Sequence, residues 1–365
     1  MAKKTQRVKV HSNYSCNLKC RFCYYGDSKC IKEKDPSFED LKKQLDIAKS
    51  MGALDVDFSG GEPTIRKDFP ELVAYTKSKG FRTICVITNG LRMANKEYVK
   101  KVIDSGLNDI LFSLEGYNSK THDYLTRVPG SFEKINKAIK NAKELGVRVR
   151  INITVTKENY KYLENFARHI LKFNPDAVNF IKFNPWDVAL HEARGMSPKY
   201  SEIAPHLKKA IDILKPRIVK ITVRYIPYCF MQGYEKHVCN CMHNQFDSDE
   251  WWIPKIQYRM ETKAVINIRG PLKRILKNLP FIIRLEPSYF MSFDKFVLGI
   301  QLKKLYTKPN QCRKCKYFYV CDGIDKPYPK IYGAKEIIPV TGVKIKEPMF
   351  AREKYLENYN EKFGF

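Results

Sequence analysis

Three cysteines, Cys16, Cys20 and Cys23, stand in the stretch CNLKCRFC with the spacing Cys-x3-Cys-x2-Cys. Three thiolates on one short loop can hold three irons of a [4Fe-4S] cube and leave the fourth iron open to bind and reduce a substrate. A fourth thiolate would close the cube and restrict it to passing electrons. Three unrelated core cysteines, or part of a zinc site, are the competing readings of the spacing. The chain has eleven cysteines, an odd number, and its basic N-terminus MAKKTQRVKV lacks the apolar segment of a signal peptide. Cysteine use of this kind fits a reducing, cytoplasmic setting with metal or redox chemistry better than a disulfide framework. No apolar stretch is long enough to span a membrane.

Such a loop needs a scaffold, and the pattern that follows it supplies one. From residue 7 to about 215, strand-like and helix-like segments alternate. Strands are expected at Val8 to Ser15, Leu54 to Ser59, Phe81 to Thr88, Asp109 to Leu114, Val147 to Thr156 and Ala177 to Phe183. Between them lie helices that open near Ser37, Asp68, Asn95 and Ser131, with two more near 158–172 and 200–214. Ser37 to Asp40 reads as a capping box, and Gly52, Gly80, Gly106 and Gly146 stop the first four helices. Alternation of this kind implies a parallel sheet, closed or nearly closed into a barrel.

The distinctive residues then fall at one end of that sheet. The cysteines follow strand one, Gly60-Gly61-Glu62-Pro63 follows strand two, Thr88-Asn89-Gly90 follows strand three, and Ser113-Leu114-Glu115-Gly116 ends strand four. Parallel barrels build their active sites where the C-terminal strand ends meet.

With these motifs in place, the first two-thirds of the chain resembles a radical S-adenosylmethionine (radical SAM) enzyme. The resemblance implies an α/β fold with a partial (β/α)6 TIM-like barrel over 1–215. It implies that Cys16, Cys20 and Cys23 ligate the catalytic [4Fe-4S] cluster and that SAM occupies the open iron. Phe22 matches the aromatic position of the motif Cys-x3-Cys-x-aromatic-Cys. Gly60, Gly61, Glu62 and Pro63 match the GGEP segment that meets the SAM amino group. Asn89, Ser113 and Glu115 match positions lining the ribose and methionine portions, and Glu115 stands where relatives often carry Asp. Arg127, in THDYLTRVPGSF, resembles an arginine that pairs with the SAM carboxylate, a task suited to a guanidinium fork. Cleaving a sulfonium reductively needs a low-potential electron, and the carbon radical must be kept dry and aimed.

After about residue 216 the alternation is expected to fail. The strand-like KITVRYIP leads to Cys229, and QCRKCKYFYVCDG follows later with Cys312-x2-Cys315-x5-Cys321. That last pattern resembles the SPASM or twitch domains that carry auxiliary clusters, which suggests a smaller α+β domain over 216–330 and a tail over 331–365. Six cysteines lie beyond residue 200, enough for one auxiliary [4Fe-4S] cluster but short of two. Cys312, Cys315 and Cys321 are the expected ligands, with Cys229 as the fourth and Cys239 and Cys241 as rivals.

Other groups are weaker. His237, Cys239, Cys241 and His243 alternate, so an extended segment would present all four as a zinc site or as a buried strand face. Cys30 and Cys85 read as packing residues. Asp187, His191 and Glu192 read as an ordinary loop after strand six. Residues 255–308 carry twelve Lys or Arg against three Asp or Glu; this stretch reads as a lid over the barrel mouth or a peripheral membrane contact.

The net charge of +27 favours anionic partners, or else reflects a lysine-rich solvated surface. The expected function is a radical SAM enzyme that cleaves SAM to a 5′-deoxyadenosyl radical and abstracts hydrogen from an anionic small molecule. Oxidation or epimerisation of a sugar, nucleotide or lipid precursor would fit, with a flavodoxin- or ferredoxin-type electron donor. A peptide-modifying maturase is the alternative, disfavoured because Cys16 arrives without room for a leader-binding domain. A GTP-cyclising enzyme would end in Gly-Gly, whereas this chain ends in EKFGF. A zinc-dependent nucleic-acid-binding protein is the distant alternative, and it leaves the GGEP, TNG and SLEG turns unexplained.

Overall fold

Apolar and polar residues alternate in RVKVHSN, and this stretch forms the first strand, β1 (Arg7–Asn13). The computed structural model of the protein describes residues 5–23, 34–185, 195–251, 299 and 302–364. Strand and helix then alternate as α1 (Phe38–Ser50), β2 (Asp55–Gly60), α2 (Phe69–Ser78), β3 (Thr83–Thr88), α3 (Lys96–Asp104) and β4 (Asp109–Ser113). The series continues as α4 (Ser119–Thr126), α5 (Ser131–Glu144), β5 (Arg148–Val155), α6 (Leu163–Ile170), β6 (Ala177–Lys182), α7 (Tyr200–Leu214), β7 (Lys220–Arg224) and β8 (Val238–Cys239).

All eight strands form one parallel sheet in chain order, from β1 to β8. The first and last strands are not paired with each other among the described residues, so the sheet is a partial barrel. Its outer face buries Val10, Val56, Phe58, Ile110, Phe112 and Ile151 against apolar stripes such as Leu41 and Leu45 of α1. Helix starts follow local chemistry. Ser37 and Asp40 close the expected capping box, and the Asn95 and Asn118 side chains accept from the amides of Tyr98 and Thr121.

The sheet has two strands more than the six expected. KITVR does not end the alternation: Ile221 and Val223 face the helices, and β7 pairs with β6 in parallel register. The short helix α4 was not expected, because SKTHDYLT offers few apolar residues; the Asn118 cap and burial of His122 and Leu125 secure it.

HVCNCMH is not one extended segment. A 3-10 turn (Glu235–His237), the two-residue strand β8 and the short helix α8 (Cys241–Asn244) divide it, so its side chains do not share a face. A two-stranded antiparallel hairpin follows, β9 (Tyr306–Thr307) with β10 (Ile324–Asp325), then α9 (Tyr328–Tyr332) and α10 (Glu353–Phe363). Asp325 fastens this hairpin to the barrel, accepting from Lys182 Nζ at 3.2 Å and Tyr200 Oη at 2.8 Å. Cys30, Asp187, His191 and Glu192, and the basic stretch from 255 to 298, lie outside the described residues.

Candidate cluster and cofactor site at the C-terminal edge of the sheet

The cysteine loop is fixed from both sides before any ligand is considered. Upstream, Asp35 accepts from the Tyr14 amide at 2.7 Å, the Ser15 amide at 3.2 Å and the Ser15 hydroxyl at 2.6 Å. Downstream, the Lys19 and Arg21 amides donate to the carbonyls of Thr126 and Leu125 at the end of α4. The Arg21 guanidinium also lies 4.0 Å from the Tyr124 ring. Phe22 is half-buried in the turn, where the Cys23 amide donates to the Cys20 carbonyl. Arg127 caps α4 with φ 59°, on the exposed side of that same junction.

Gly60 and Gly61 bring β2 against the strand before the cysteines. A Cβ on Gly60 would collide with the Asn13 carbonyl, and one on Gly61 with the carbonyls of Tyr14 and Ser15. Gly60 also takes φ 126°, which only glycine adopts without strain. The Gly61 and Glu62 amides donate to the Asn13 and Ser15 carbonyls, closing the contact.

Glu62 is buried and joins two of the turns. Oε1 accepts from the Thr64 amide, the Thr64 hydroxyl and the Thr88 hydroxyl, and Oε2 accepts from the Asn89 amide at 2.7 Å. Burial still raises its pKa, because these donors offset only part of the desolvation. Pro63 starts the 3-10 turn that follows. Asn89 donates to Asn17 Oδ1 at 2.7 Å and faces Cys16 Sγ at 3.9 Å. Glu115 is buried after β4, its Oε2 accepting from the Thr154 amide at 2.7 Å, and burial pushes it up to about 8. Ser113, at the end of β4, is half-buried on the inner face.

The three thiols sense one another's charge as well as that of Glu62 or Glu115, so the fold gathers them at one mouth. Burial raises Cys16 to about 11, and Cys20 higher still. Cys16 Sγ accepts from the Leu18 amide at 3.4 Å. Amide donors aimed at sulfur are the setting a thiolate-held cluster uses. Among the described residues no three His, Cys, Asp or Glu side chains close round a single ion.

Beneath this mouth the inner face of the sheet stays partly open. Lys9 and His11 of β1, Ser59 of β2, Ser113 of β4, and Asn152 and Thr154 of β5 are half-buried, while their outward neighbours are fully buried. Burial and the Lys9 charge push His11 down to about 3, so its imidazole is neutral. Trp251 forms part of the floor, donating Nε1–H to Asp57 Oδ2 at 2.7 Å beneath Lys9 Nζ, which lies 4.6 Å from its ring.

Below Trp251 the lumen is sealed by charge. Arg7 donates to Asp57, and Arg148 and Arg150 donate to Asp109 at 2.7 and 3.0 Å. The segment 247–251 enters from below. Asp249 accepts from Arg148 and Lys220, and Asp247 from Lys220 and Arg352. Tyr359 of α10 donates to Asp249 at 2.6 Å. Burial opposes ionisation of Asp249, but Arg148, Lys220 and Arg150 outweigh it and hold the carboxyl well below its usual range. Cys85 sits inside this layer, accepting from Arg150 Nη2 at 3.0 Å.

Sequence reasoning missed this floor. Its signal was nonetheless present, in charges that share one face of apolar strands: Asp55 and Asp57, Arg148 and Arg150, two apart, and Lys220 and Arg224, four apart.

A second thiol group forms where β7 leads into the hairpin. Cys229, Cys312, Cys315 and Cys321 sense one another's charge. Cys321 Sγ accepts from the Gly323 amide at 3.4 Å, and the Cys315 amide donates to the Cys312 carbonyl at 2.9 Å. The alternating group does not converge on a metal. His237 Nδ1 is bonded to the Ile221 carbonyl, and both nitrogens of His243 are engaged, with the Asn240 amide and with Tyr228 and Pro348. Cys241 instead donates its amide to Asp322.

Comparison with known proteins bears on this geometry. Residues 11–170 match the radical SAM superfamily. The Fe-coproporphyrin III synthase of Methanosarcina barkeri is 37% identical over 146 residues, 40% of this chain and 36% of that protein. The 7,8-dihydro-6-hydroxymethylpterin dimethyltransferase of Methanocaldococcus jannaschii is 32% identical over 174 residues, 47% of this chain and 34% of that protein. The chain thus spans about a third of the length of these two relatives. The structure of native anSMEcpe with bound AdoMet and the Cp18Cys peptide shares the fold over 98% of this chain and 96% of its own, with a TM-score of 0.54 at 14% identity. The superfamily uses a [4Fe-4S] cluster and SAM. Over residues 11–170, somewhat under half of its length, the chain is thus similar to the radical SAM superfamily.

Proposed function

We propose that the chain binds a [4Fe-4S] cluster through Cys16, Cys20 and Cys23, binds SAM at the same mouth, and activates a C–H bond of an anionic small molecule in the lumen. The observation that carries this reading is the gathering of three thiols and the turns after β2, β3 and β4 over a half-open polar lumen. When bound, the cluster and SAM would supply a low-potential electron and a 5′-deoxyadenosyl radical. The chain's own part is to hold, orient and keep dry.

Gly60, Gly61 and Pro63 present the turn, and Glu62 locks it to Asn89. Asn89, Ser113 and Glu115 would hold the adenosyl and methionine portions, and Arg127 the carboxylate. Phe22 would shield one side of the loop. Lys9 supplies positive charge to the lumen for an anionic substrate, and neutral His11 beside it is able to donate or accept a hydrogen bond. The sealed floor keeps bulk water from entering at the far end.

Cys229, Cys312, Cys315 and Cys321 would hold one auxiliary [4Fe-4S] cluster, Cys229 from the turn after β7 and the other three from the segment between β9 and β10. That cluster would exchange single electrons with a low-potential carrier. A small-molecule substrate is favoured over a peptide by the names of the two relatives, which act on a porphyrin and a pterin. No helix among the described residues is long and apolar enough to cross a membrane, in keeping with a cytoplasmic enzyme.

The test is anaerobic reconstitution with iron and sulfide, followed by SAM and dithionite. Wild type should yield 5′-deoxyadenosine, and Cys16→Ala should yield none. Full iron loading without SAM cleavage, with or without porphyrin and pterin substrates, would sink the reading.

A further inference from the structure

The auxiliary thiols lie under an unusual stretch of surface. Residues 302–347 contain eleven Lys and Arg against four acids. Asp322 and Asp325 are buried, and Glu336 is occupied by Ser201 and Tyr328. The positive charge is tied to the cysteine loop itself. Lys344 Nζ donates to the Cys315 carbonyl at 2.8 Å, and Lys308 Nζ donates to the Phe318 carbonyl at 2.6 Å. Arg313, Lys314 and Lys346 stand exposed around them.

Within this basic rim lie apolar side chains open to solvent. Among the described residues seven large apolar side chains are exposed, and Tyr319 at 42%, Ile338 at 73% and Val343 at 91% all belong here. The segments that carry them are joined: the Lys316 amide donates to the Val340 carbonyl, and the Ile345 amide to the Lys316 carbonyl. Ile338, Val340 and Thr341 line, with Cys229, a cavity of about 420 Å³. A thiol of the expected cluster therefore borders the apolar patch.

We propose that this surface docks an acidic one-electron carrier protein and brings its redox group to the edge of the auxiliary cluster. The inference rests on the reading that Cys229, Cys312, Cys315 and Cys321 hold that cluster. A small apolar centre inside a charged rim suits a short-lived complex: the rim steers encounter, and the centre excludes water. The step is a plain transfer. One electron leaves the reduced carrier, which is oxidised by one, and enters the cluster, which is reduced by one; no bond or proton changes. A nucleic acid or an anionic membrane would use the basic rim but has less use for an apolar centre beside a redox thiol.

The experiment uses the reconstituted full chain and reduced flavodoxin as the probe. Binding is read by interferometry at low and high salt, and cluster reduction by stopped-flow absorbance. The triple variant Arg313→Glu, Lys314→Glu, Lys346→Glu should weaken binding and slow reduction by flavodoxin at least about tenfold. Reduction by dithionite, which needs no docking, should be unchanged. Val343→Asp tests the apolar centre without touching the rim and should weaken binding severalfold.

Equal binding by wild type and both variants overturns the proposal. So does displacement of flavodoxin by phosphatidylglycerol vesicles or an oligothymidylate at matched charge. The underlying reading has its own readout, iron content. Wild type with iron for a single cluster removes the auxiliary cluster, and electron transfer with it. Two clusters with charge-insensitive reduction removes the docking surface alone.

Discussion

The two ends of the sheet are made by the same strands and solve opposite problems. At the N-terminal end the described residues that face inward are dominated by buried, interlocked charges. Arg7, Arg148, Arg150, Lys220 and Arg352 interlock with Asp57, Asp109, Asp247 and Asp249. At the C-terminal end the backbone turns carry the geometry, thiols and carboxyls are held at raised pKa, and the lumen between is half-open. Desolvated ions hold each other in place only as a complete set, which makes the lower end rigid and costly to break. The upper end keeps groups in place without satisfying them all with one another, as a binding site requires.

That contrast can be broken from either side. Cys16→Ala should abolish SAM cleavage, a loss of at least ~10³-fold, while shifting the urea midpoint of the cluster-free protein little. Asp249→Asn should do the reverse. It strips a partner from Arg148 and Lys220 together and should cost about 3–5 kcal/mol in urea unfolding. If Asp249→Asn is as stable as wild type, the sealed end is not the stabilising one.

Glu115→Gln probes the upper end by pH. The folded pKa of Glu115 is raised to about 8 from 4.5, so its stabilising contribution is full below pH 4.5 and is lost as pH rises towards 8. The variant, which cannot ionise, should therefore gain on wild type with rising pH, by up to about 5 kcal/mol in thermal unfolding. The acids of the lower end have the opposite sign. Asp109, Asp247 and Asp249 are depressed, so their contribution is present above the ordinary carboxylate range and fades as pH falls below it. Trp251→Phe is the mildest test: it removes the bond to Asp57 and keeps a ring under Lys9, for a cost of about 1–2 kcal/mol.

Much of the upper end was legible in the chain. The capping box at Ser37, the helix starts at Asn95 and Ser131, and the glycines at 60 and 61 are local signals, and local contacts realise them. The lower end was not, because its partners are far apart in sequence. Thr5 meets Glu250, Arg7 meets Ser248, and Lys220 meets Asp247 and Asp249 across the sheet. Likewise the alternation of His237, Cys239, Cys241 and His243 suggested a shared face, but two backbone turns dispersed it.

By itself the sequence determined the cysteine spacing, the strand–helix rhythm and the turns that follow β2, β3 and β4. These depend on neighbours within a few residues, where side-chain type decides backbone conformation directly. Only the tertiary structure decided that β7 and β8 extend the sheet and that segment 247–251 seals it. Those outcomes depend on which buried charges find partners and which apolar faces meet, and no local pattern encodes such pairings.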